Sequence, residues 1–352
     1  MVAAPYRNAA AAAMPTPPWM PERLAARLPF LRRRAELTAA TRRFFTGRGY
    51  LEVETPCLVP APGAEVHIRA FETRFVPHLG AGEGRTLWLR TSPELAIKRL
   101  LAGGSGPVFE LARVWRNGEM SARHAPEFTM LEWYRPGLSF EGLMEETETF
   151  IRAVCPPAVE HGGLRTDLTL PFERLTMQEA FARHCNGLDL LGTEGDTDRL
   201  RNAAAAAGFP PREGEGWEDL FFRLLLERVE PAIGRDRATF LTHWPAPQAA
   251  LARRDPADPR AALRFELFVA GIELANAFDE LTDAAEQRER FREANEERRR
   301  LTGEHGWEVD EDFCAALEHG LPPTAGIALG FDRLAMLAAG ARSIEDVLWL
   351  PL

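Results

Sequence analysis

Three groups of residues in this chain have types and spacing suited to holding a polyanion and a metal ion. The first is the run Arg116-Asn117-Gly118-Glu119-Met120-Ser121-Ala122-Arg123-His124, followed by Pro126, Glu127 and Phe128. Two arginines and a histidine at the tip of a hairpin can wrap a polyphosphate, because each guanidinium offers a fixed fork of donors. Phe128 could stack on a purine ring. The second group is Gly326, Gly330, Asp332 and Arg333. Glycines between a strand and a helix let a ligand approach the backbone, and an arginine in the first helical turn can reach an anion held there. The third is Glu266, Glu273 and Glu280, spaced seven apart. On a helix that spacing makes a solvated acidic stripe, whereas on turning strands it can gather carboxylates for magnesium. Each group alone also fits a plainer reading: a solvated turn, a packing glycine, an acidic surface.

Periodicity and punctuation suggest the elements that must carry these groups. Residues 31–46 read as a helix, with Leu31, Ala35, Thr38, Ala39, Arg42 and Phe45 near one face and Gly47 and Gly49 ending it. Residues 50–55 alternate as a strand that stops at Pro56. Ser92 reads as the N-cap of a second helix with Pro93 in its first turn, closed by Gly103 and Gly104. Residues 107–115 and 127–134 are strand-like and flank the polar loop. Residues 262–281 read as two strands joined at Ala270-Gly271. Residues seven apart lie on opposite faces of a continuous strand. The turn removes that conflict for Glu266 and Glu273, while Glu280 requires a bulge or bend near Asn276. Residues 283–300 read as a charged helix, and TAGIALGFDRLAMLAAG as strand, glycine turn and helix. The stretch of about 140–235 reads as a mostly helical insertion without evident chemistry, and residues 1–20 as a disordered tail. Without a regular βαβ alternation, the fold class expected is α+β with a largely antiparallel sheet.

Composition narrows the setting. The 352 residues are 45% apolar and 27% charged, an ordinary globular balance with enough apolar side chains for a sizeable core. The formal net charge of -10 argues against a dedicated nucleic-acid binder, though not against a local basic patch. Cys57, Cys155, Cys185 and Cys314 are widely spaced, so neither a disulfide framework nor a zinc site is indicated, and a reduced cytoplasm fits. The alanine run 9–13 is too short for a signal segment, and no apolar span long enough for a membrane follows.

Taken together and in order, the three groups resemble a known family. FELARVWRN…RHAPEFTMLEWY resembles motif 2 of the class II aminoacyl-tRNA synthetases, GIALGFDRLAML resembles motif 3, and the helix followed by GYLEVETP resembles motif 1. TSPELAIKRLL and GIELANAFDELTD are similar to the lysyl type in particular. The resemblance implies a class II catalytic domain over residues 21–352, with a mainly antiparallel sheet flanked by helices. It implies activation of a lysine-like amino acid as an adenylate, with ATP and Mg²⁺. Residue by residue, it implies that Arg116 contacts the α-phosphate as it becomes pentacoordinate. Arg333 would hold the γ-phosphate and cover the adenine face opposite Phe128. Asn117, Gly118, Glu119, His124, Ala125, Leu274 and Gly330 would complete the nucleotide site, and Glu266 and Glu273 would bind Mg²⁺. Ser92, Pro93 and Glu94 would line the amino-acid pocket, with Glu94 near the α-amino group. Glu132, Tyr134, Asn276 and Glu280 would finish it. Glu280, assisted by Tyr134, is the expected partner of a lysine-type ammonium, since a buried unpaired cation is costly.

The chain departs from the family pattern at three places. Gly118 stands where motif 2 usually has a Glu, with Glu119 following; Ala125 replaces a nucleotide-contacting Asn; Ala277 replaces a Gly. About 30 residues precede the motif 1 helix, too few for the OB-fold barrel with which lysyl-type synthetases read an anticodon. The resemblance is therefore to the branch that modifies elongation factor P. It implies transfer of lysine, or its β-isomer, to a lysine side chain of that protein, by a homodimer with no anticodon recognition. Two alternatives share the same sequence features: a synthetase-like ligase for another acceptor, and a non-catalytic regulatory paralogue.

Overall fold

A computed structural model describes residues 17–63, 65–78, 82–303 and 307–352. Of the tail expected over residues 1–20, residues 1–16 lie outside the described residues. In chain order the strands are β1 (Leu51–Glu52), β2 (Leu58–Val59), β3 (Glu72–Phe75), β4 (Arg85–Leu89), β5 (Val108–Trp115), β6 (Glu127–Pro136), β7 (Ala158–His161), β8 (Leu164–Asp167), β9 (Glu173–Thr176), β10 (Thr239–Pro245), β11 (Ala261–Val269), β12 (Ile272–Asp279) and β13 (Thr324–Gly330). The α-helices are α1 (Pro21–Thr46), α2 (Glu94–Ala102), α3 (Phe140–Val154), α4 (Met177–His184), α5 (Thr197–Ala206), α6 (Trp217–Leu224), α7 (Ala284–Thr302), α8 (Glu311–Gly320) and α9 (Phe331–Ala339).

The main sheet runs β1-β5-β6-β13-β12-β11-β10-β9. Its central pairings are antiparallel, and only the edge pairs β1–β5 and β9–β10 are parallel. This is the α+β arrangement expected. Alternation decides the two faces. Phe109, Leu131, Trp133, Phe265, Leu267, Ala275, Ala277, Ile327 and Leu329 all point to one side, where α1, α3 and α9 cover them with Phe44, Phe45, Phe150, Leu334 and Met336. The intervening residues face the other side, which is only partly covered by α2, α7 and α8 and carries the site. Among the described residues no helix is long and apolar enough to cross a membrane.

Several elements differ from expectation for identifiable reasons. The first helix begins at Pro21 and runs through Pro29, because Arg27, Leu31, Arg34, Leu37, Thr41 and Phe44 form one buried stripe whose packing outweighs the missing donor. The strand expected over 50–55 is only two residues long. After the Val53 N–H bonds Phe109 O (2.9 Å), Thr55 turns to cap the buried Glu110 carboxylate (Oγ1 to Oε2, 2.8 Å). The stretch 140–235 is not simply helical. α3 packs into the main core, β7 and β8 form a hairpin, and β9 joins the main sheet. α4, α5 and α6 enclose a second core around Phe181, Trp217 and Phe221, which also takes in Trp244 and Phe268 of the sheet.

Candidate active site

The β11–β12 hairpin turns through Ala270 and Gly271, both with positive φ (50° and 70°), the backbone of a two-residue turn that suits strand twist. With Val269 opposite Ile272 and Phe268 opposite Glu273, Glu273 falls on the same face as Glu266. The register then slips by one residue at Leu274, so that Glu266 faces Asn276. This bulge lies two residues before the position expected from the sequence. It is what keeps Glu273, Asn276 and Glu280 on one face despite the odd spacing.

Motif 2 and motif 3 residues meet across β6 and β13, where Glu132 pairs with Ala328 and Tyr134 with Gly326. A Cβ at position 326 would lie 2.1 Å from Tyr134 ring atoms and 2.6 Å from Glu280 Oε1. The expectation that Gly326 leaves room for a ligand is thus corrected: the room is taken by Tyr134. Asp332, also grouped with the phosphate residues, is buried. It pairs with Arg34 of α1 and accepts from the Thr129 N–H at 2.9 Å. It therefore locks the start of α9 to α1 and β6 rather than facing a ligand.

A cavity of about 1310 Å³ opens on this face of the sheet. One end is cationic. Arg116, Arg123, His124, Phe128, Gly330 and Arg333 line it. The Arg116 guanidinium lies 5.4 Å from the Phe128 ring centre, and its Nε is buried without a hydrogen-bond partner. A buried unsatisfied donor on a fixed cation is what a site for an incoming phosphate requires. Arg333 donates to Glu273 O (2.7 Å) and lies 2.6 Å from His124 Nε2. Arginine can only donate, so Nε2 accepts and the proton sits on Nδ1, 2.7 Å from Ser121 Oγ. Burial, then the charge of Arg333, lowers the His124 pKa in keeping with a neutral ring. Glu119 and Ala125 also line the cavity, whereas Asn117 and Gly118 form a turn held to the Arg69 backbone (Asn117 N to Arg69 O, 2.8 Å).

Glu266, Glu273 and Leu274 form the adjoining wall. Burial, then the charge of Glu273, pushes the Glu266 carboxyl up. Arg264, which the sequence reading overlooked, holds Glu266 Oε1 at 2.7 Å and Asn276 Oδ1 at 3.1 Å, and lies 3.9 Å over the Trp244 ring. Two mutually repelling carboxylates fit a magnesium ion that takes its remaining ligands from phosphates and water. Among the described residues no group of three His, Cys, Asp or Glu suits a metal held by protein alone. Glu230 belongs to the same electrostatic neighbourhood: burial and Glu273 raise its pKa to about 7. Gln287 lines the cavity from α7 with both amide atoms buried and unpaired.

The other end is a network of buried acids. Ser92 Oγ donates to Glu132 Oε1 (2.6 Å), Tyr134 O–H donates to Glu132 Oε2 (2.9 Å), and the Glu94 N–H bonds Ser92 Oγ (3.0 Å). Burial, then Glu94, raises the Glu132 pKa to about 8. Pro93 precedes α2 directly, with Ser92 still capping Glu94 N. Ser92, Glu94 and Asn276 line the cavity, while Glu132, Tyr134 and Glu280 lie behind its wall. Glu280, expected to partner a substrate ammonium, is already placed beside a cation. Its carboxylate is 1% exposed and lies 2.6 Å from Lys98 Nζ, a cation of the chain itself. Lys98 was missed because on α2 it reads as one more surface lysine; its spacing of four from Glu94 was the available signal. Ala277, a departure from the family pattern, sits in the apolar core on the opposite face of the sheet and so does not touch this cavity.

Comparison with known proteins agrees with the geometry. The family model for tRNA synthetases class II (D, K and N) matches residues 22–352. An elongation factor P–(R)-β-lysine ligase of Klebsiella pneumoniae (strain 342) is 46% identical over 337 residues, covering 95% of this chain and 97% of that protein. The protein of the same name from Salmonella paratyphi B is 45% identical over 337 residues, with the same shares covered. The chain belongs to the class II tRNA synthetase family (D, K and N).

Proposed function

We propose that the chain is an ATP-dependent ligase that activates lysine, or its β-isomer, as the aminoacyl-adenylate and transfers it to a lysine side chain of elongation factor P. The observation that carries the chemistry is the polarity of one cavity: arginines at one end, Arg116 with a buried Nε that has no partner, and carboxylates at the other. The resemblance to ligases named for elongation factor P and (R)-β-lysine supplies the acceptor and the amino acid.

In this reading the substrate carboxylate attacks the α-phosphorus of ATP, a P–O bond forms, and pyrophosphate leaves. Arg116 compensates the charge that grows on the α-phosphate, in a setting where its Nε has no competing partner. Arg333 exchanges His124 and the Glu273 carbonyl for the terminal phosphate. Glu266 and Glu273 would hold a magnesium ion, which neutralises polyphosphate charge. No side-chain nucleophile is required, because positioning and charge compensation suffice. In the second half-reaction a neutral lysine amine attacks the acyl carbon of the adenylate and AMP departs. Glu119 lines the cavity and can take the place of the Glu lost at position 118.

The reading places the chain in the cytoplasm as a homodimer built on the motif 1 segment, α1 and β1, through an isologous contact. Light scattering at micromolar concentration should give twice the 39.3 kDa chain mass; a monomer would count against the dimer. The activation step is tested by exchange of labelled pyrophosphate into ATP with magnesium and without tRNA. Lysine or β-lysine should support exchange best. No exchange with either would favour a regulatory paralogue.

A further inference from the structure

Arg264 on β11 is bonded to both halves of the site. It lies two residues before Glu266, so the two side chains stand on the same face of the strand. Asn276 is directly opposite Glu266 on β12, and all three line the cavity. Each nitrogen of the guanidinium has its own acceptor. Nε donates to Asn276 Oδ1 (3.1 Å), one terminal nitrogen to the Gln248 carbonyl (2.8 Å), and the other to Glu266 Oε1 (2.7 Å). The group lies 3.9 Å from the centre of the Trp244 ring. Trp244 is buried, donates its indole N–H to Leu241 O (3.2 Å), and belongs to the second core with Phe221. The helices of the 140–235 stretch thus support the surface on which Arg264 rests.

These bonds fix what the neighbours can offer. Arginine only donates, so the Asn276 amide must turn its oxygen to Arg264, which leaves its NH₂ group as a donor. The one acceptor on a lysine-type substrate with both amines protonated is its carboxylate. The bond to Glu266 engages Oε1 and leaves Oε2 for a metal ion. Burial, then Glu273, push the Glu266 carboxyl up, and Arg264 opposes them. A lysine could supply that charge, but not a planar fork of donors that also stacks on an indole. Arg116 keeps an Nε without a partner. Arg264 has an acceptor on every nitrogen, as suits a group that positions others and does not await a ligand.

We propose that Arg264 clamps the two halves of the site together, one planar group setting both the Glu266 oxygen left for magnesium and the Asn276 NH₂ left for the amino-acid carboxylate. Metal-bound ATP and the attacking carboxylate are then held in one frame. This rests on the amino-acid-activating reading given above. Arg264 acts through Glu266 and Asn276 and touches no reacting atom, so it is a positioning residue, and its loss is felt at both ends of the cavity at once.

The test compares the full chain with Arg264→Lys, which keeps the charge and loses the fork. Two quantities are read: KM for lysine or β-lysine in pyrophosphate exchange, and calorimetric affinity for ATP without amino acid, in magnesium and in EDTA. Arg264→Lys should unfold in denaturant as cooperatively as wild type. It should raise the amino-acid KM about tenfold or more and weaken ATP binding in magnesium by a similar factor, with ATP binding in EDTA within about threefold. On an Asn276→Ala background the same substitution should change the amino-acid KM by less than about threefold and still weaken ATP binding in magnesium. Both quantities within about threefold of wild type in Arg264→Lys would mean that charge suffices and would overturn the proposal. So would a change at one end only, or an equal loss of ATP binding in EDTA. Should Arg264→Lys fail to fold, a crystal structure of the wild-type chain with magnesium, lysine and a non-hydrolysable ATP analogue decides. Both bonds kept, with the Asn276 NH₂ on the amino-acid carboxylate, support the clamp; Arg264 turned onto a phosphate, or Asn276 turned from the carboxylate, overturns it. Wild-type chain without amino-acid-dependent exchange would overturn the functional reading as well, whereas failure of the variants alone would overturn only the role of Arg264.

Discussion

The two ends of the cavity solve opposite electrostatic problems. At the phosphate end, Arg116 keeps a buried donor without a partner, and Arg333 is held by the carbonyls of Glu273 and Arg123, a neutral histidine and a loose pairing with the Glu273 carboxylate. At the amino-acid end, Glu132 has a hydroxyl on each oxygen, and Glu94 and Glu280 share Lys98. Unused donors cost folding free energy and have value only when a ligand arrives. Acids neutralised within the chain contribute to the fold whether or not substrate is present. Loss of a phosphate-end residue should therefore cost rate and not stability, and loss of an amino-acid-end residue should cost stability as well as affinity.

The largest effect is expected at Arg116. Arg116→Ala should lower the exchange rate by about 10²–10³, the scale for one preorganised donor to developing charge. Its melting temperature should stay at or slightly above that of wild type. A cooperative loss of stability would erase the contrast between the ends. Glu273→Ala should cost about 10² in exchange at saturating magnesium while far-ultraviolet dichroism is unchanged, since Glu273 is largely exposed and only 3.8 Å from Arg333. Retained exchange would remove Glu273 from the metal pair.

Stability effects belong to the other end. Lys98→Met breaks a buried pair and leaves carboxylates uncompensated, which should cost about 3–5 kcal/mol in denaturant unfolding. A cost below about 1 kcal/mol, the surface-pair range, would mean that Lys98 is not buried in solution. The smallest effect concerns Glu132. Its pKa is raised to about 8 from 4.5, so the folded state holds a proton that the unfolded state releases. This contribution is fully present below about pH 4.5 and is lost as pH rises through about 8. Between pH 5 and 9 the melting temperature of wild type should therefore fall a few degrees further than that of Glu132→Gln, whose amide can still meet both hydroxyls. Parallel curves would show Glu132 to be ionised throughout.

Much of this site was legible in the sequence because its parts are local. The motif 2 hairpin, the Ala270-Gly271 turn and the Gly330–Arg333 helix start are each announced by turn residues and alternation within a short run. What escaped depends on pairings across the sheet. A bulge near Asn276 was expected from the spacing of the glutamates, but its place at Leu274 is a register slip between β11 and β12 that no residue type marks. The union of Lys98 with Glu280 joins α2 to the end of β12, far apart in the chain. Arg264 likewise looks like an ordinary strand charge until Asn276 and Glu266 are brought beside it. The same limit explains Gly326, whose lack of a side chain answers to Tyr134 on the neighbouring strand.

The acceptor is tested most directly by competition. Purified elongation factor P and bulk tRNA are offered together to the chain with ATP, magnesium and labelled lysine or β-lysine, and both products are examined by mass spectrometry and scintillation. The account predicts label on a lysine side chain of elongation factor P, with a mass increase of one lysyl residue, and none on tRNA. Label on tRNA with elongation factor P unmodified would contradict it and make the chain an ordinary synthetase.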